Sequence, residues 1–432
     1  MHLPGTPRQS EETQSRVFVT ALSFLSYGIL IVASGLLGRI LGAKEFGIYS
    51  TAVAVCMLIT TGATLGLEKL ALRELPIYFR TQDWKRARGY LFFSVTVIAA
   101  TSVVLGFIIY AAVWFMMNPN ESDTYLHYLL VMVFFLPVIT MFMFLLEVCT
   151  ACEKFISSTL VYRVVVSGAL LLGVVIWTRV TTNFSVKDAI LIYGFTWVIG
   201  LVLMLALALK NLPPQLRVKG WFMEPRRWVT EGVSFVIFSL VMSLFSSSPL
   251  LVLGLNIPEK SNSGVMSAVL QIGGLLLIVS TATTRLYAPK MSKLLADGDM
   301  QAQRKLLRQR GLRMLALSLV FMVVVVFFGQ RILGLFGNDF ECGAMALIMY
   351  SIANCVNLIF AFAPWYLQFR EKHRLVLIVT IVFTALTMTA MVFAPLPAVR
   401  DFERVTIWYS IGLCLMFVVF RVLVFLDLRR IA

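Results

Sequence analysis

The sequence contains few groups that could carry out chemistry. Among its 432 residues are three histidines, six cysteines and 22 acidic residues, and charged residues make up only 14% of the chain. The cysteines are scattered through apolar segments, which argues against a disulfide framework. Cys149 and Cys152 form a CxxC motif, but the sequence has no second pair or nearby histidine to complete a metal site. We therefore expect no metal, no cofactor and no enzymatic activity.

Apolar residues are abundant instead. They make up 59% of the chain, and the mean hydropathy is +0.87. Soluble domains have about 45–50% apolar and about 25% charged residues. This composition indicates an integral membrane protein with many spans. The first 16 residues are polar and include Glu11 and Glu12, which argues against a signal peptide.

Apolar runs of about 20 residues between charged breaks predict twelve transmembrane helices, here called spans 1 to 12. A membrane β-barrel is excluded, because its strands alternate in polarity and run to only about ten residues. The predicted spans are 17–37, 47–67, 89–116, 125–147, 157–177, 189–209, 232–253, 263–284, 312–329, 343–363, 375–394 and 404–426.

The distribution of Lys and Arg predicts the orientation. Of the 37 basic residues, 28 lie in the termini and loops on one side of the predicted membrane and 8 on the other. Cytoplasmic loops carry the excess of Lys and Arg, so both termini are predicted to be cytoplasmic. The net charge of +15 then mostly reflects the basic loops on the cytoplasmic side of the membrane. This placement of the charge argues against nucleic-acid binding. Attraction to anionic lipid headgroups is a natural secondary role.

Landmarks in the two halves of the chain recur at nearly constant offsets. Residues 38–50 (GRILGAKEFGIYS) predict a tight turn, since Gly42 and Gly47 can adopt backbone angles closed to other residues. A weaker copy of this turn in the second half of the chain contains Gly254, 212 residues after Gly42. Three further sequence features of the first half recur in the second half, 213 to 218 residues later. A proline-rich loop, 211–230, separates the halves. We expect two parallel six-helix repeat lobes, 1–215 and 216–432, around a central cavity.

The chain resembles the Wzx-type polysaccharide flippases of the multidrug/oligosaccharidyl-lipid/polysaccharide exporter superfamily. The resemblance rests on the order and spacing of four segments and on the number of helices. These segments are GRILGAKEFGIYS, the basic loop 68–88 with Pro76, YAPKMSKLLADGD at 287–299 and QRILGLFGNDF at 330–340. One departure is Ser246-Ser247-Ser248-Pro249, where many relatives carry a charged residue late in span 7.

The resemblance implies translocation of undecaprenyl-diphosphate-linked oligosaccharide across the bacterial inner membrane. Such transport supplies O-antigen of lipopolysaccharide, or exopolysaccharide. The partners implied are the lipid-linked oligosaccharide, membrane lipids, a polymerase with other assembly proteins, and a coupling proton or sodium ion.

Polar residues at helical spacing form stripes on spans 1, 2, 7 and 8. Two readings remain open for these stripes: small polar residues that pack helices together, and the wall of a hydrated cavity. The residues include Thr20, Ser23, Tyr27 and Ser34; Thr61, Thr64 and Glu68; Ser239, Ser243 and Ser246; and Ser267, Gln271, Gly274, Thr281 and Arg285.

Ionisable residues within or beside spans are costly and therefore informative. Arg39, Arg163 and Arg285 are candidate ligands of a diphosphate, because a guanidinium offers several cationic donors in a fixed fork. Interfacial anchoring is the other reading for Arg39 and Arg163. Glu68 and Glu147 are candidates for ion pairs or for coupling protons, and simple interfacial placement remains open for both.

Two other functions compete with flipping. A multidrug and toxin extrusion pump of the same superfamily has the same number of helices and would need an acidic cation site in a lobe core. A polysaccharide polymerase or membrane glycosyltransferase would need a large external loop with reactive groups. Here the longest predicted external loop has only about a dozen residues.

Overall fold

A computed structural model of the chain describes residues 7–116, 125–152, 155–181, 183–217, 220–257, 259–296, 299–396 and 399–430. Almost all of these residues are helical, and none of them lies in a β-strand. The predicted all-α class is confirmed.

The described residues form α-helices α1 to α16, a π-helical turn at Val161–Val165 and 3₁₀ turns at Pro214–Arg217 and Asn338–Gly343. The α-helices are α1 Pro7–Ala63, α2 Leu67–Arg80, α3 Trp84–Met116, α4 Tyr125–Val133, α5 Leu136–Ala151, α6 Phe155–Leu160, α7 Val166–Val180, α8 Val186–Asn211, α9 Pro225–Asn256, α10 Ser261–Gly273, α11 Leu275–Ala296, α12 Met300–Leu333, α13 Ala344–Phe360, α14 Phe362–Phe369, α15 His373–Phe393 and α16 Asp401–Arg430.

Ten described segments are long and apolar enough to cross a membrane, and the bent pair α4–α5 makes eleven. One of the ten, Leu22–Ala63, has 42 residues, which is about twice the length that a bilayer requires. It is broken at Gly42, where φ is 72°. Counted as two spans, this segment brings the total to the predicted twelve. The chain is a multi-pass membrane protein.

The predicted turn at 38–50 is tighter than expected, and its two glycines differ in role. Of the two, only Gly42 has a positive φ, so the kink in α1 is concentrated at one residue. Gly47 allows close packing instead, because a Cβ there would lie 2.2 Å from the carbonyl oxygen of Lys260. A Cβ at Gly264 would lie 1.9 Å from the carbonyl oxygen of Ala43. The opening turn and its copy thus pack backbone against backbone.

Two predicted loops are largely helical. The segment 68–88 is mostly α2, which packs Leu70, Leu75 and other apolar side chains against α5 and α3. The segment 285–313 belongs mostly to α11 and α12. Charged residues interrupt an apolar run without ending a helix, since Lys, Arg and Glu are good helix formers.

Two prolines within predicted spans differ in their effect on the helix. Pro137 stands at the start of α5, and α4 and α5 meet at a 46° bend. Pro249 lies inside α9, which continues through it.

The described chain groups into two compact units. The first contains the described residues of 1–33 and 51–243, and the second contains those of 34–50 and 244–432. These bounds differ from the predicted lobes, 1–215 and 216–432, because the start of α9 packs with the first half of the chain and residues 34–50 with the second. The division into two sequence repeats remains a prediction.

Candidate functional site

A polar cavity of about 440 Å³ lies within the first unit. It is formed by the end of α1, the start of α2, the middle of α5 and the middle of α9. Its lining residues are Met57, Thr60, Thr61, Thr64, Glu68, Lys69, Met143, Glu147, Phe238, Ser239, Met242 and Ser243. The predicted polar stripe of span 2 therefore lines the same cavity as Ser239 and Ser243 from the stripe of span 7.

Three threonines supply hydroxyl oxygens to this cavity, Thr60 and Thr61 from the last turn of α1 and Thr64 from the turn that follows it. Thr60 donates to the carbonyl of Cys56 at 2.9 Å, Thr61 to that of Met57 at 3.0 Å, and Thr64 to that of Thr61 at 3.0 Å. The hydroxyl protons of Thr60 and Thr61 are thereby used within the helix, and their oxygen lone pairs remain as acceptors. The threonine wall can accept hydrogen bonds from a ligand.

Glu68 is the second residue of α2 and is only 6% exposed. Its Oε2 has no hydrogen-bond partner among the described residues. Burial raises the pKa of the Glu68 carboxyl, and this effect exceeds the lowering by Thr64 and by the charge of Lys69. The cavity thus contains a carboxyl group that holds its proton more tightly than an exposed one.

Glu147 of α5 forms an ion pair with Lys69 of α2. The carboxylate side chain is 16% exposed and the ammonium side chain 43%. The pair compensates the charge of Glu147, while neighbouring Glu68 keeps an unpaired oxygen. Sequence reasoning missed Lys69 because it lies in a segment rich in basic residues. Its place next to an acidic residue at the start of an amphipathic helix was the available signal.

Close backbone contact holds the start of α2 in position. Gly66 has a φ of 70°, and a Cβ there would lie 2.2 Å from the carbonyl oxygen of Gly232 on α9. The Tyr90 hydroxyl also donates to the carbonyl of Leu67 at 2.5 Å. Two glycines thus bring α2 and α9 together and fix where Glu68 emerges.

A charged network reinforces the same contact. Arg227 of α9 donates to Glu74 of α2 at 3.2 Å and to Glu231 and Glu224 at 2.9 Å each. Arg73 also lies 3.4 Å from Glu231. The Glu74 side chain is almost fully buried, so the bond from Arg227 compensates a carboxylate that has lost its hydration. The sequence provided no signal for this pairing, since the partners lie 153 residues apart.

The remaining predicted residues lie elsewhere. Tyr27 and Arg163 belong to the first unit, but neither lines this cavity. Arg163 sits in the π-helical turn, 5.0 Å from the Tyr162 ring, and π-helical turns are frequent at functional sites.

Three predicted residues belong to the second unit. Arg39 is exposed and donates to the carbonyl of Gly334 at 3.4 Å, which is the contact of an anchoring residue. Gln271 lies near the end of α10 and is half-buried. Arg285 lies in α11, and its side chain is outside the described part of the structure.

The side chains that line the cavity can bind a polar ligand and exchange a proton. Hydroxyl acceptors from α1 and α9 can bind the hydroxyl groups of a ligand. The Lys69–Glu147 pair offers one charge of each sign, and Glu68 can bind or release a proton. No group of three or more metal-ligating side chains occurs among the described residues.

Comparisons with known proteins identify the family and the fold. The sequence model of a family described as "Polysaccharide biosynthesis protein" matches residues 14–295. No curated protein sequence matches this one.

Several solved structures are similar along nearly the whole chain. One is an inward-facing multidrug resistance MATE family transporter of the MOP superfamily, with 12% identity, a TM-score of 0.77, and coverage of 96% of this chain and 98% of that one. Another is the MATE multidrug transporter DinF-BH, with 13% identity, a TM-score of 0.69, and coverage of 96% and 95%. A third is a MOP superfamily transporter from Pyrococcus furiosus, with 13% identity, a TM-score of 0.64, and coverage of 96% of each chain. At these identities the likeness concerns the fold.

Proposed function

The chain belongs to the polysaccharide biosynthesis protein family, and on that premise we propose that it is a flippase for undecaprenyl-diphosphate-linked oligosaccharide. It moves this lipid from the cytoplasmic to the outer leaflet of the bacterial inner membrane, with both of its termini in the cytoplasm. The product feeds O-antigen or exopolysaccharide assembly, together with a polymerase and other assembly proteins.

The observation that carries the proposal is the hydroxyl-lined cavity inside a membrane-spanning chain of this family. Sugars present many hydroxyl groups, each able to donate to the oxygens of Thr60, Thr61 and Thr64. A cavity of about 440 Å³ accommodates part of a glycan. The polyprenyl chain stays in the bilayer, because transfer of a long apolar chain into a polar cavity is unfavourable.

We assign the diphosphate to arginine. Arg163 and Arg285 bind its oxygens through the fork of the guanidinium, with Tyr27 and Gln271 along the path of the glycan. Arg39 contributes less in this scheme, since its guanidinium already donates to Gly334. The two lobes rock about the bound lipid, so that the site opens alternately to either side.

In the proposed mechanism, Glu68 couples the rocking of the lobes to the binding and release of a proton. Its carboxyl is buried, has an unpartnered oxygen and has a raised pKa. Such a group changes its charge at a pH nearer neutrality than an exposed glutamate does. Loss of the proton leaves a carboxylate beside Glu147, and this repulsion favours a rearrangement of the cavity.

Complementation tests the function. Wild-type protein should restore surface polysaccharide in a bacterial strain that lacks its own lipid-linked oligosaccharide flippase, and inverted membrane vesicles should move the lipid-linked sugar. In the vesicles, a protonophore should slow transport by the wild type but not by Glu68→Gln. If the wild type, present in the membrane, restores no polysaccharide of any tested repeat unit, the proposal is wrong.

A multidrug or toxin extrusion pump is the second candidate, and one observation favours it. Such a pump needs an acidic cation site, and Glu68 and Glu147 line one cavity. The pairing of Glu147 with Lys69 removes half of that negative charge. Expression that lowers the accumulation of lipophilic cations without restoring polysaccharide would establish this alternative.

A further inference from the structure

A small groove in the second unit combines three arginines with an apolar lining. Its volume is about 230 Å³, and it lies between α12, the junction of α13 and α14, and α16. The lining residues are Leu307, Arg308, Arg310, Gly311, Leu312, Leu315, Ile359, Phe360, Phe362, Ala363, Arg421 and Val424. No acidic residue is among them.

The three guanidinium groups have no counter-ion within the described chain. Among the described residues, no carboxylate lies within ion-pair distance of Arg308, Arg310 or Arg421. Asp427 lies further along α16 than Arg421, and it pairs with Arg370 and Lys372 instead. Because arginine does not lose its charge in proteins, the groove is cationic.

Arg310 is the fixed member of the three. It is 2% exposed and donates weakly to the carbonyls of Leu358 and Ile359, at 3.4 and 3.3 Å, where α13 ends. Another bond reaches the Thr283 hydroxyl at 3.4 Å, and the guanidinium lies 5.5 Å from the Phe362 ring. The Nε atom has no partner among the described residues. Only neutral oxygen atoms of the described residues accept hydrogen bonds from this buried guanidinium. Its positive charge is therefore not compensated, and its Nε–H donor has no acceptor among the described residues.

The apolar lining continues onto a surface that suits hydrocarbon. Leu312 and Leu315 are 56% and 42% exposed, and Leu319 and Val323 continue the exposed apolar face of α12. An inorganic anion would contact the arginines and leave the apolar surface without a ligand. An amphiphile contacts both the arginines and the apolar surface.

We propose that this groove binds the phosphate headgroup of an anionic membrane phospholipid, with its acyl chains along the exposed face of α12. Arg308 and Arg421 contact the phosphate, while Arg310 orders the groove and adds its charge. The groove lies on the predicted cytoplasmic side, where basic pockets between transmembrane helices bind anionic headgroups. This site is separate from the transport cavity and does not depend on the function proposed above.

Native mass spectrometry of the detergent-solubilised full chain tests the site. The probes are phosphatidylglycerol, phosphatidylcholine with the same acyl chains, glycerol phosphate and undecaprenyl phosphate. We expect phosphatidylglycerol to bind the wild type in preference to phosphatidylcholine. Removing two arginines, in Arg308→Ala/Arg421→Ala, should weaken its binding about thirtyfold. Arg331→Ala, at the other end of α12, is the matched control and should bind as the wild type does.

Each other outcome overturns the assignment. Equal binding of the two phospholipids, or equal losses in the control and the double variant, means that these arginines do not recognise the headgroup. Glycerol phosphate that binds as tightly as phosphatidylglycerol makes the ligand a free phosphate. Undecaprenyl phosphate that binds where phosphatidylglycerol does not makes the groove a substrate site. Arg310 is kept intact because its loss would disturb the end of α13. The single variants Arg308→Gln and Arg421→Gln provide the measurement if the double variant does not fold.

Discussion

Lys69 and Glu147 form an ion pair across the cavity between α2 and α5, although 78 residues separate them in the sequence. The pair leaves Glu68, the neighbour of Lys69, as the uncompensated carboxyl of the cavity. A half-exposed ion pair contributes little to stability, about 0.2–1 kcal/mol. We therefore expect its main consequence to be electrostatic control of Glu68.

A double-mutant cycle with Lys69→Met and Glu147→Gln should give a coupling free energy of at most about 1 kcal/mol in thermal unfolding. Lys69→Met alone should reduce transport more than the double variant does, because it leaves Glu147 unpaired beside Glu68. Equal transport by the two variants would mean that the pair only joins α2 to α5.

The Glu68 carboxyl should make stability depend on pH. Its native pKa is raised by burial, so between the unfolded value of about 4.3 and the raised native value the folded state binds more protons. Stability must then fall as pH rises through this range. Glu68→Gln mimics the protonated form and should be more stable than the wild type at pH 8, by roughly 1–3 kcal/mol.

The stability difference between Glu68→Gln and the wild type should disappear at pH 4, where both carry a neutral side chain. Thermal unfolding in detergent at the two pH values measures it. Glu45→Gln, at an exposed glutamate, is the control and should show no such pattern. A Glu68→Gln variant less stable than the wild type at pH 8 would contradict the burial argument.

Gly66→Ala should destabilise the protein by more than about 1 kcal/mol, because a Cβ meets both a left-handed backbone and the carbonyl of Gly232. Gly168→Ala, at a helical glycine with nothing within 4 Å of the added Cβ, should leave stability unchanged or raise it by up to about 1 kcal/mol. Unfolding midpoints compare the two. Equal midpoints would show that α2 and α9 can move apart without cost.

Arg163→Ala and Arg285→Ala should each reduce transport of the lipid-linked sugar by about one to two orders of magnitude. Lysine at either position should rescue only partly, because it keeps the charge but loses the fork. Arg179→Ala, at an exposed arginine at the far end of α7, is the control. Normal export by the double alanine variant, at matched protein level, would show that these arginines only anchor their helices.

Cysteine labelling in intact cells tests the orientation, in a background in which exposed Cys342 is replaced. An impermeant reagent should modify Glu259→Cys and leave Gln82→Cys and Met300→Cys unmodified. Labelling of position 300 from outside would reverse the predicted topology.

The sequence alone determined the membrane class, the twelve spans and the family. Transfer of an apolar segment into a bilayer is a local property of about 20 residues, so hydropathy reports it without knowledge of the partners. The break in α1 at Gly42 could also be located from the local sequence, because glycine adopts the positive φ that this position requires. The local sequence also selected Glu68 and Glu147, because charges near spans are few.

Only the tertiary structure decided which of these residues meet. Glu68 and Glu147 share a cavity because α2 packs on α5, and Lys69 joins them because α2 is a helix where a loop was predicted. Pro249 leaves α9 unbroken, while Gly66 and Gly232 set the distance between α2 and α9 through contacts of residues far apart in the chain. Such contacts depend on close packing of shapes and on pairing of charges removed from water. Neither is encoded in the order of polar and apolar residues along one helix.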